Sequence, residues 1–159
     1  VVRFVPSATG LALRTKEDTH MTSANPPQTL QASAQAFYAR LASGDLASFF
    51  ELLADDVEAV APGSRAHIPW SGTWHGKDGF QQLMAGLGEV AQIEMYEPQR
   101  FVAEDSERII VLGRERLRSL KTGRVAETSW VHELTFRNGR LCRFVEHYDT
   151  DALAVALIE

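Results

Sequence analysis

The sequence predicts a single α+β domain in which a curved antiparallel sheet wraps around a long N-terminal helix and encloses a pocket. Most segments with helical periodicity precede about residue 91, and four segments with alternating strand patterns follow from Ile93 onward. Helices followed by an antiparallel meander are typical of this fold class. The 159 residues, 45% hydrophobic and 23% charged, suit one globular domain with one core.

The predicted helices carry apolar residues at helical spacing. The first follows Pro26-Pro27 and ends at Gly44, because glycine commonly follows the last helical residue. Asp45 is placed to cap a short second helix. The other predicted elements outside the meander are a strand over 57–61, a loop over 62–76, a helix over 77–91 and a C-terminal helix over 151–157.

Turn residues separate four predicted strands in the meander, notably Thr122-Gly123 and Asn138-Gly139. At the second of these turns, a two-residue and a three-residue loop are both open. The three-residue loop, which begins at Arg137, is preferred because it brings the apolar faces of the last two strands together and pairs His132 with Phe144. The strands are expected over 93–102, 108–120, 125–136 and 141–148.

Alternation along the strands sorts their side chains into two faces. The preferred turns pair Trp130 with both Glu115 and Glu146, and they place Gly113 opposite His132. This face is otherwise apolar and is expected to point inward. The opposite face is expected in solvent, or in the polar part of a dimer interface, because it carries three arginines: Arg114, Arg116 and Arg118.

Three ionisable residues share the predicted inward face: Glu115, His132 and Glu146. Because neighbouring strands lie about 4.8 Å apart, both carboxyls are expected to approach the imidazole directly or through water. Burial and neighbouring charges shift their pKa values, so that one group can take a proton while another returns it. This pattern suits isomerisation, aldol chemistry, dehydration or addition of water. We therefore predict these three as catalytic residues, with no cofactor and no metal.

Each of these residues alone also has a structural interpretation. A histidine on a strand is more often a hydrogen-bonded core residue, and a glutamate on an apolar face often reaches water at a cavity mouth. A metal site made of His132 and the two glutamates is a further alternative, which the spacing supports poorly. Three such groups in one patch nevertheless favour a pocket.

The predicted ligand-binding residues are aromatic. Some lie on the inward strand face, and two lie beside glycines in the loop over 62–76, where tryptophans often line a ligand site. Equally open is that the loop tryptophans cap the end of the core, and that the tyrosine of the first helix is a core or surface residue. The predicted set is Tyr38, Trp70, Trp74, Trp130, Phe144 and Tyr148.

Composition disfavours several function classes. The 16 basic and 21 acidic side chains give a net charge of −5, which disfavours nucleic acid and anionic membrane surfaces as partners. The apolar runs are far too short to span a bilayer. A single cysteine, Cys142, excludes an internal disulfide, and a reducing cytoplasm is the expected location.

The domain is expected over residues 29–159, preceded by an N-terminal extension over 1–28 that is irregular or in part not native. The first twenty residues lack the uninterrupted apolar stretch of a signal peptide. Met21 is a plausible native start, and a genuine N-terminal arm is the alternative.

Several motifs resemble one known family. The stretches are YARLASGDLASFFELLADDVEAVAPG, SGTWHGKDGF, EPQRFVAEDSERIIVLGRE and SWVHELTFRNGRLCRFVEHYDTDAL, of which FRNGRLCRFVEHYDT is the most specific. Over about residues 30–157 the chain resembles the ketosteroid-isomerase-related, SnoaL-like proteins. This resemblance implies a cone of the nuclear transport factor two-like type, commonly homodimeric. It also implies a range of activities that includes isomerases, polyketide cyclases, epoxide hydrolases and dehydratases.

The resemblance carries over few catalytic residues. Ala61 stands where the steroid isomerases have their aspartate base, and His132 stands at their second aspartate. Phe37 stands at their oxyanion-hole tyrosine, with Tyr38 beside it. Steroid isomerisation by that mechanism is therefore not expected.

The limonene-type epoxide hydrolases use an aspartate-arginine-aspartate set, which is also incomplete here. Glu115 and Glu146 match the two aspartates, but Gly113 replaces the arginine. The expected function is binding of a small, largely apolar molecule with cofactor-free acid/base catalysis of the isomerase, cyclase, dehydratase or hydrolase type. The alternative is a non-catalytic ligand-binding or dimeric interaction module of the same fold. A homodimer through the outer sheet face is expected in either case.

Overall fold

The computed structural model describes residues 26–158, and it confirms the α+β class. The expectation about an N-terminal extension lies outside the described residues, except that 26–28 belong to the first helix. The helices are α1 Pro26–Ser43, α2 Leu46–Glu51, α3 Gly76–Val90 and α4 Thr150–Leu157. The strands are β1 Leu53–Ala61, β2 Gly72–His75, β3 Ala91–Ala103, β4 Arg108–Ser119, β5 Val125–Arg137 and β6 Arg140–Tyr148.

The six strands form one curved sheet in the order β2-β1-β6-β5-β4-β3. Two expectations about this sheet need correction. The sheet is mixed rather than wholly antiparallel, because β1 runs parallel to β6. The segment predicted as a loop over 62–76 contains β2, which pairs with β1 from His75 to Gly72. This strand is too short, and too rich in glycine and aromatic residues, to show an alternating pattern.

Local chemistry sets the ends of the helices, largely as predicted. Gly44 has a φ of +71°, the left-handed conformation that ends α1. The side chain of Asp45 accepts a hydrogen bond from the backbone N–H of Ser48, 3.1 Å away, and so caps α2. Asp149 caps α4 in the same way by accepting from the N–H groups of Asp151 and Ala152.

The core lies between the concave face of the sheet and the helices. From α1, Leu30, Ala34 and Phe37 are buried there, and from α3, Phe80 and Leu83. Burial of these apolar surfaces supplies the main stabilising free energy of the domain.

The β5–β6 hairpin differs from the preferred three-residue turn. Asn138 and Gly139 have φ values of 52° and 74°, which makes a two-residue turn of the primed type. A bulge at Leu141 and Cys142 then shifts the register by one residue and returns the apolar side chains to the concave face. His132 therefore pairs with Glu146 rather than with Phe144.

The β4–β5 hairpin also has a longer loop than the two residues predicted. The N–H of Leu120 donates a hydrogen bond to the carbonyl of Val90 at the end of α3. Leu120 therefore does not pair with β5 and belongs to the loop. Gly113 consequently pairs with Trp130, not with His132, and Glu115 pairs with Thr128. Because the shift is two residues, every side chain keeps its predicted face.

The face assignment itself is confirmed on β4 and β5. Inward residues such as Glu115 and His132 are buried, and Arg114 and Arg116 are exposed on the other side. The outward arginines pair with acidic residues of neighbouring strands: Arg114 with Glu97, Arg116 with Glu94 and Glu127, and Arg118 with Glu94.

Two bulges in β3 change which of its residues face inward. They lie between Ile93 and Met95 and between Pro98 and Arg100. Strict alternation from Ile93 would point Tyr96 outward, but the first bulge turns it to the concave face opposite Glu115. Within residues 26–158, no helix has both the length and the apolar character needed to cross a membrane.

Candidate active site

A small cavity lies between the concave face of the sheet and the helices α1 and α3. The space open to the centres of water molecules is about 50 Å³, room for about four waters. Its wall is mostly apolar, and its polar groups are two carboxyls and two phenols. The lining residues are Phe37, Leu41, Trp70, Phe80, Leu83, Met84, Leu87, Ile93, Tyr96, Glu115, Phe144, Glu146 and Tyr148.

His132 lies behind this wall, 1% exposed, at the centre of a polar cluster. Its Nδ1 is 2.9 Å from the hydroxyl of Tyr38, and its Nε2 is 3.4 Å from the hydroxyl of Tyr96. The same Nε2 is 3.5 Å from Oε1 of Glu146. Burial lowers the pKa of His132 to about 3, and the charge of His147 contributes, so the imidazole is neutral near pH 7.

The tautomer of His132 follows from its partners. Burial raises the pKa of Tyr38 well above its usual range, so this hydroxyl keeps its proton. We assign the Tyr38 hydroxyl as donor to Nδ1, which leaves the hydrogen of the neutral ring on Nε2. The Nε2 hydrogen is then shared with the hydroxyl of Tyr96 at 3.4 Å, and Oε1 of Glu146 lies 3.5 Å from the same nitrogen.

Stacked aromatic rings hold the imidazole in place. The indole of Trp130 stacks on His132 with centroids 4.1 Å apart and an interplanar angle of 18°. Phe144 meets the other side edge-on at 4.7 Å. Tyr38 and Tyr96 in turn stack on Trp130 at 5.7 Å and 5.0 Å. The ring positions are therefore fixed by packing as well as by hydrogen bonds.

Glu146 connects this cluster to the cavity. Its side chain is 14% exposed, and its Oε1 faces His132. Among the described residues, its Oε2 has no hydrogen-bond partner, although it is buried. Burial raises the pKa of Glu146 to about 8, so the carboxyl is mostly protonated at neutral pH.

Glu115 is the second carboxyl of the cavity and is 9% exposed. Burial raises its pKa to about 8, and the charge of Glu146 adds to the rise. Because like charges oppose each other, ionisation of one carboxyl favours the protonated form of the other. Near pH 8 the pair can thus hold one proton donor and one proton acceptor within a single apolar cavity.

The segment that precedes β2 closes one side of the cavity. Trp70 is buried there, and its carbonyl accepts a hydrogen bond of 2.9 Å from the indole N–H of Trp74. The hydroxyl of Tyr148 donates to the carbonyl of Pro62 at 3.1 Å, which ties the start of the segment to β6. The guanidinium of Arg65 covers the outer face of Trp74, 4.3 Å from the ring centroid.

The structure thus divides the residues predicted for the site into three groups. Five of them line the cavity: Trp70, Glu115, Phe144, Glu146 and Tyr148. Behind the wall lie Tyr38, Trp130 and His132, which contact one another.

The third group has one member, Trp74, which packs against the back of the segment over 62–71 and does not line the cavity. The sequence interpretation misses Tyr96, since only the bulge in β3 brings its ring inward.

Among residues 26–158, no group of three His, Cys, Asp or Glu side chains is arranged to hold a metal ion.

The comparison with known families decides where the chain belongs. The family model of the SnoaL-like domain matches residues 34–144, from the middle of α1 to the middle of β6. The chain belongs to the SnoaL-like family. No curated protein matches it.

Solved structures similar to this chain agree with the fold. An NTF2-like protein from Burkholderia xenovorans is 31% identical, with a TM-score of 0.74, over 82% of this chain and 97% of that one. An NTF2-like protein of unknown function from Burkholderia pseudomallei is 30% identical, with a TM-score of 0.69, over 86% and 99%. TerC, co-crystallised with polyporic acid, is 26% identical, with a TM-score of 0.70, over 84% and 98%.

Proposed function

We propose that this SnoaL-like protein is a cofactor-free acid/base enzyme that binds a small, largely apolar molecule and moves a proton on it. The reaction is of the isomerase, cyclase, dehydratase or hydrolase type. The observation that carries the proposal is that Glu115 and Glu146 open into one apolar cavity with pKa values raised to about 8. Carboxyls with pKa values near the working pH are effective proton donors and acceptors.

Each carboxyl has a distinct part in the proposed reaction. Glu146 takes the proton from the substrate, since its side chain lines the cavity and its Oε2 has no competing hydrogen bond in the described structure. Glu115, still protonated, donates to the substrate atom on which negative charge develops. The apolar wall excludes water, which strengthens both interactions.

His132 acts through Glu146 rather than on the substrate. Its neutral ring, held by Tyr38 and Trp130, lies 3.5 Å from Oε1 of Glu146 and so orients that carboxyl beside the cavity. We therefore assign His132 as a positioning residue. TerC, a relative that was crystallised with polyporic acid, supports a family cavity that accepts small organic molecules.

A base in an apolar cavity can be tested without knowing the natural substrate. The probe is 5-nitrobenzisoxazole: a base removes its ring C–H proton, a nitrile forms, the N–O bond breaks, and a coloured phenolate leaves. We expect wild-type protein to turn over this probe with a rate that rises with pH around a midpoint near 8. Glu146→Gln should lower kcat/KM by about 100-fold or more, the usual effect of losing a general base.

The matched control is Glu97→Gln, which removes an exposed carboxylate on the outer face of β3. This variant should retain wild-type turnover. His132→Ala should shift the pH midpoint as well as lower the rate, because it changes the surroundings of Glu146. Turnover in Glu146→Gln and Glu115→Gln equal to that of wild type would refute the catalytic assignment and leave the non-catalytic alternative.

We also propose a homodimer through the outer face of the sheet. Leu112 and Val102 are 36% and 39% exposed on this face. They lie beside the paired arginines and glutamates of β3 and β4, so the face offers both apolar contact and charges of both signs to a second copy. Sedimentation should show a dimer for wild type and a monomer for Leu112→Glu, and a wild-type monomer would refute the proposal.

A further inference from the structure

We propose that the cavity selects a cationic ligand: a small ring compound whose protonated amine is held by Glu115 and Glu146 within aromatic walls. This proposal rests on the proposed use of the cavity as the substrate site. It adds the charge of the molecule that the site accepts.

The charge of the cavity lining favours a cationic ligand over an anionic one. In the part of the chain that the structure describes, no Lys, Arg or His side chain lines the cavity. The titratable groups that face the two carboxyls from the surrounding elements are phenols and one neutral imidazole. They are Tyr38 from α1, Tyr96 from β3, His132 from β5 and Tyr148 from β6. The cavity is therefore neutral or negative, and an anion entering it would find no counter-charge.

The buried oxygen Oε2 of Glu146 has no hydrogen-bond partner among residues 26–158. Buried polar atoms normally have a partner, and an unpaired one costs free energy. An ammonium group has three N–H donors and no acceptor, so it can satisfy this oxygen once the carboxyl turns toward the cavity, and it can reach a second acceptor. Glu115 lines the same cavity and offers that acceptor.

The aromatic residues of the cavity wall also favour a cation. Phenyl and indole rings attract a cation through their faces, and Phe37, Trp70, Phe80 and Phe144 supply such rings around the carboxyls. The open space of about 50 Å³ is smaller than the about 150 Å³ of a cavity that holds benzene, so a ring enters only as the wall side chains move apart. A single-ring amine therefore matches the chemistry of the cavity.

Binding of a cationic ligand should release protons, whereas binding of a neutral ligand should not. Glu115 and Glu146 carry protons at pH 7, so an ammonium that pairs with one of them expels its proton into the buffer. About one proton per site should therefore be released on binding, and affinity should rise about tenfold between pH 6 and pH 7. A neutral ligand that hydrogen-bonds to the protonated carboxyl releases none.

Titration calorimetry on the full chain tests this with benzylamine, benzyl alcohol and benzoate, in two buffers of different ionisation enthalpy. We expect benzylamine to bind at least tenfold more tightly than benzyl alcohol, with about one proton released at pH 7. Benzoate should not bind. Equal or tighter binding of benzyl alcohol or benzoate, no binding of benzylamine, or benzylamine binding without proton release would overturn the proposal.

Variants of the two cavity carboxyls show where benzylamine binds. Together with the turnover assay, they distinguish the cationic-ligand proposal from the enzyme proposal. Glu146→Gln and Glu115→Gln should each abolish the preference for benzylamine, with folding checked by circular dichroism, whereas Glu97→Gln should keep it. Retained preference in both cavity variants would overturn the inference. If the wild type turns over 5-nitrobenzisoxazole but benzylamine neither binds nor inhibits, the cationic ligand is refuted and the enzyme proposal stands. If benzylamine binds without any turnover, the enzyme proposal fails alone.

Discussion

The indole ring of Trp130 lies against the backbone of Gly113 on the neighbouring strand. A Cβ atom on Gly113 would come within 2.2 Å of Cζ2 of Trp130 and within 2.5 Å of the carbonyl oxygen of Glu97. No side chain fits in that space, so glycine is required by packing. Since Trp130 stacks on His132, the absence of a Cβ at Gly113 also sets the height of the imidazole behind Glu146.

Gly113→Ala should therefore destabilise the protein and disturb the site together. The indole has to move, and overpacking of this kind costs about 1–3 kcal/mol. We expect the urea midpoint to fall with an unchanged slope, and the turnover of 5-nitrobenzisoxazole to fall as His132 shifts.

The matched control for this change is Gly86→Ala in α3. A Cβ atom there would meet its nearest neighbours at 3.7 Å, an ordinary contact. Alanine favours a helix over glycine by about 1 kcal/mol, so this variant should be more stable than wild type. Wild-type stability in Gly113→Ala would contradict the packing account.

Tyr38→Phe should remove the hydrogen bond to Nδ1 of His132 and leave that nitrogen buried without its donor. Such a loss costs about 1–3 kcal/mol. Tyr148→Phe is the comparison, because the carbonyl of Pro62 keeps a second donor, the hydroxyl of Ser71 at 2.7 Å. Urea unfolding should show the larger loss for Tyr38→Phe, and equal losses would argue against a structural role for the Tyr38–His132 bond.

Residue alternation is enough to predict the faces of the sheet but not its pairings. Glu115 and His132 are correctly assigned to the inward face because period-two patterning survives any register shift of two residues. The pairings depend on contacts that the alternation pattern does not encode. The bond from the N–H of Leu120 to Val90 lengthens one loop, and a bulge at Leu141 resets the other hairpin.

The same limit explains what sequence patterns miss at the site. Tyr96 lies in β3, where two bulges break the alternation that would otherwise predict its face. Whether an inward-facing residue lines the cavity also depends on how deeply its side chain is buried behind its neighbours. The alternation of residues along a strand does not give this depth. Trp130 and His132 face inward as predicted, yet neither lines the cavity; Phe144, which does, packs against His132.

The two buried carboxyls should make the protein less stable as the pH rises toward 8. Their pKa values are about 8 in the folded state, against 4.5 for a glutamate side chain in water, so between these values the folded state binds more protons than the unfolded state. The free energy of unfolding then falls with pH by up to about 1.4 kcal/mol per pH unit for each carboxyl. The decline should level off above about pH 8.

His132 acts in the opposite sense, and its range is different. Its folded pKa of about 3 lies below the usual 6.5, so its contribution to stability is present above pH 6.5 and is lost as the pH falls toward 3. The window from pH 6.5 to pH 8 therefore reports mainly on the carboxyls. Urea unfolding at several pH values in this window should show a falling midpoint for wild type.

Substitution of the carboxyls separates this effect from general alkaline destabilisation. Glutamine has the shape of a protonated glutamate but does not titrate, so Glu115→Gln or Glu146→Gln should roughly halve the decline between pH 6.5 and pH 8. Each should be more stable than wild type at pH 9, since the folded state no longer has to hold a buried charge. Glu97→Gln, exposed on the outer face, should decline as wild type does. A wild-type midpoint that stays level through this window would mean that the carboxyls of Glu115 and Glu146 are ionised in the folded protein at neutral pH, because only groups protonated there can produce the slope.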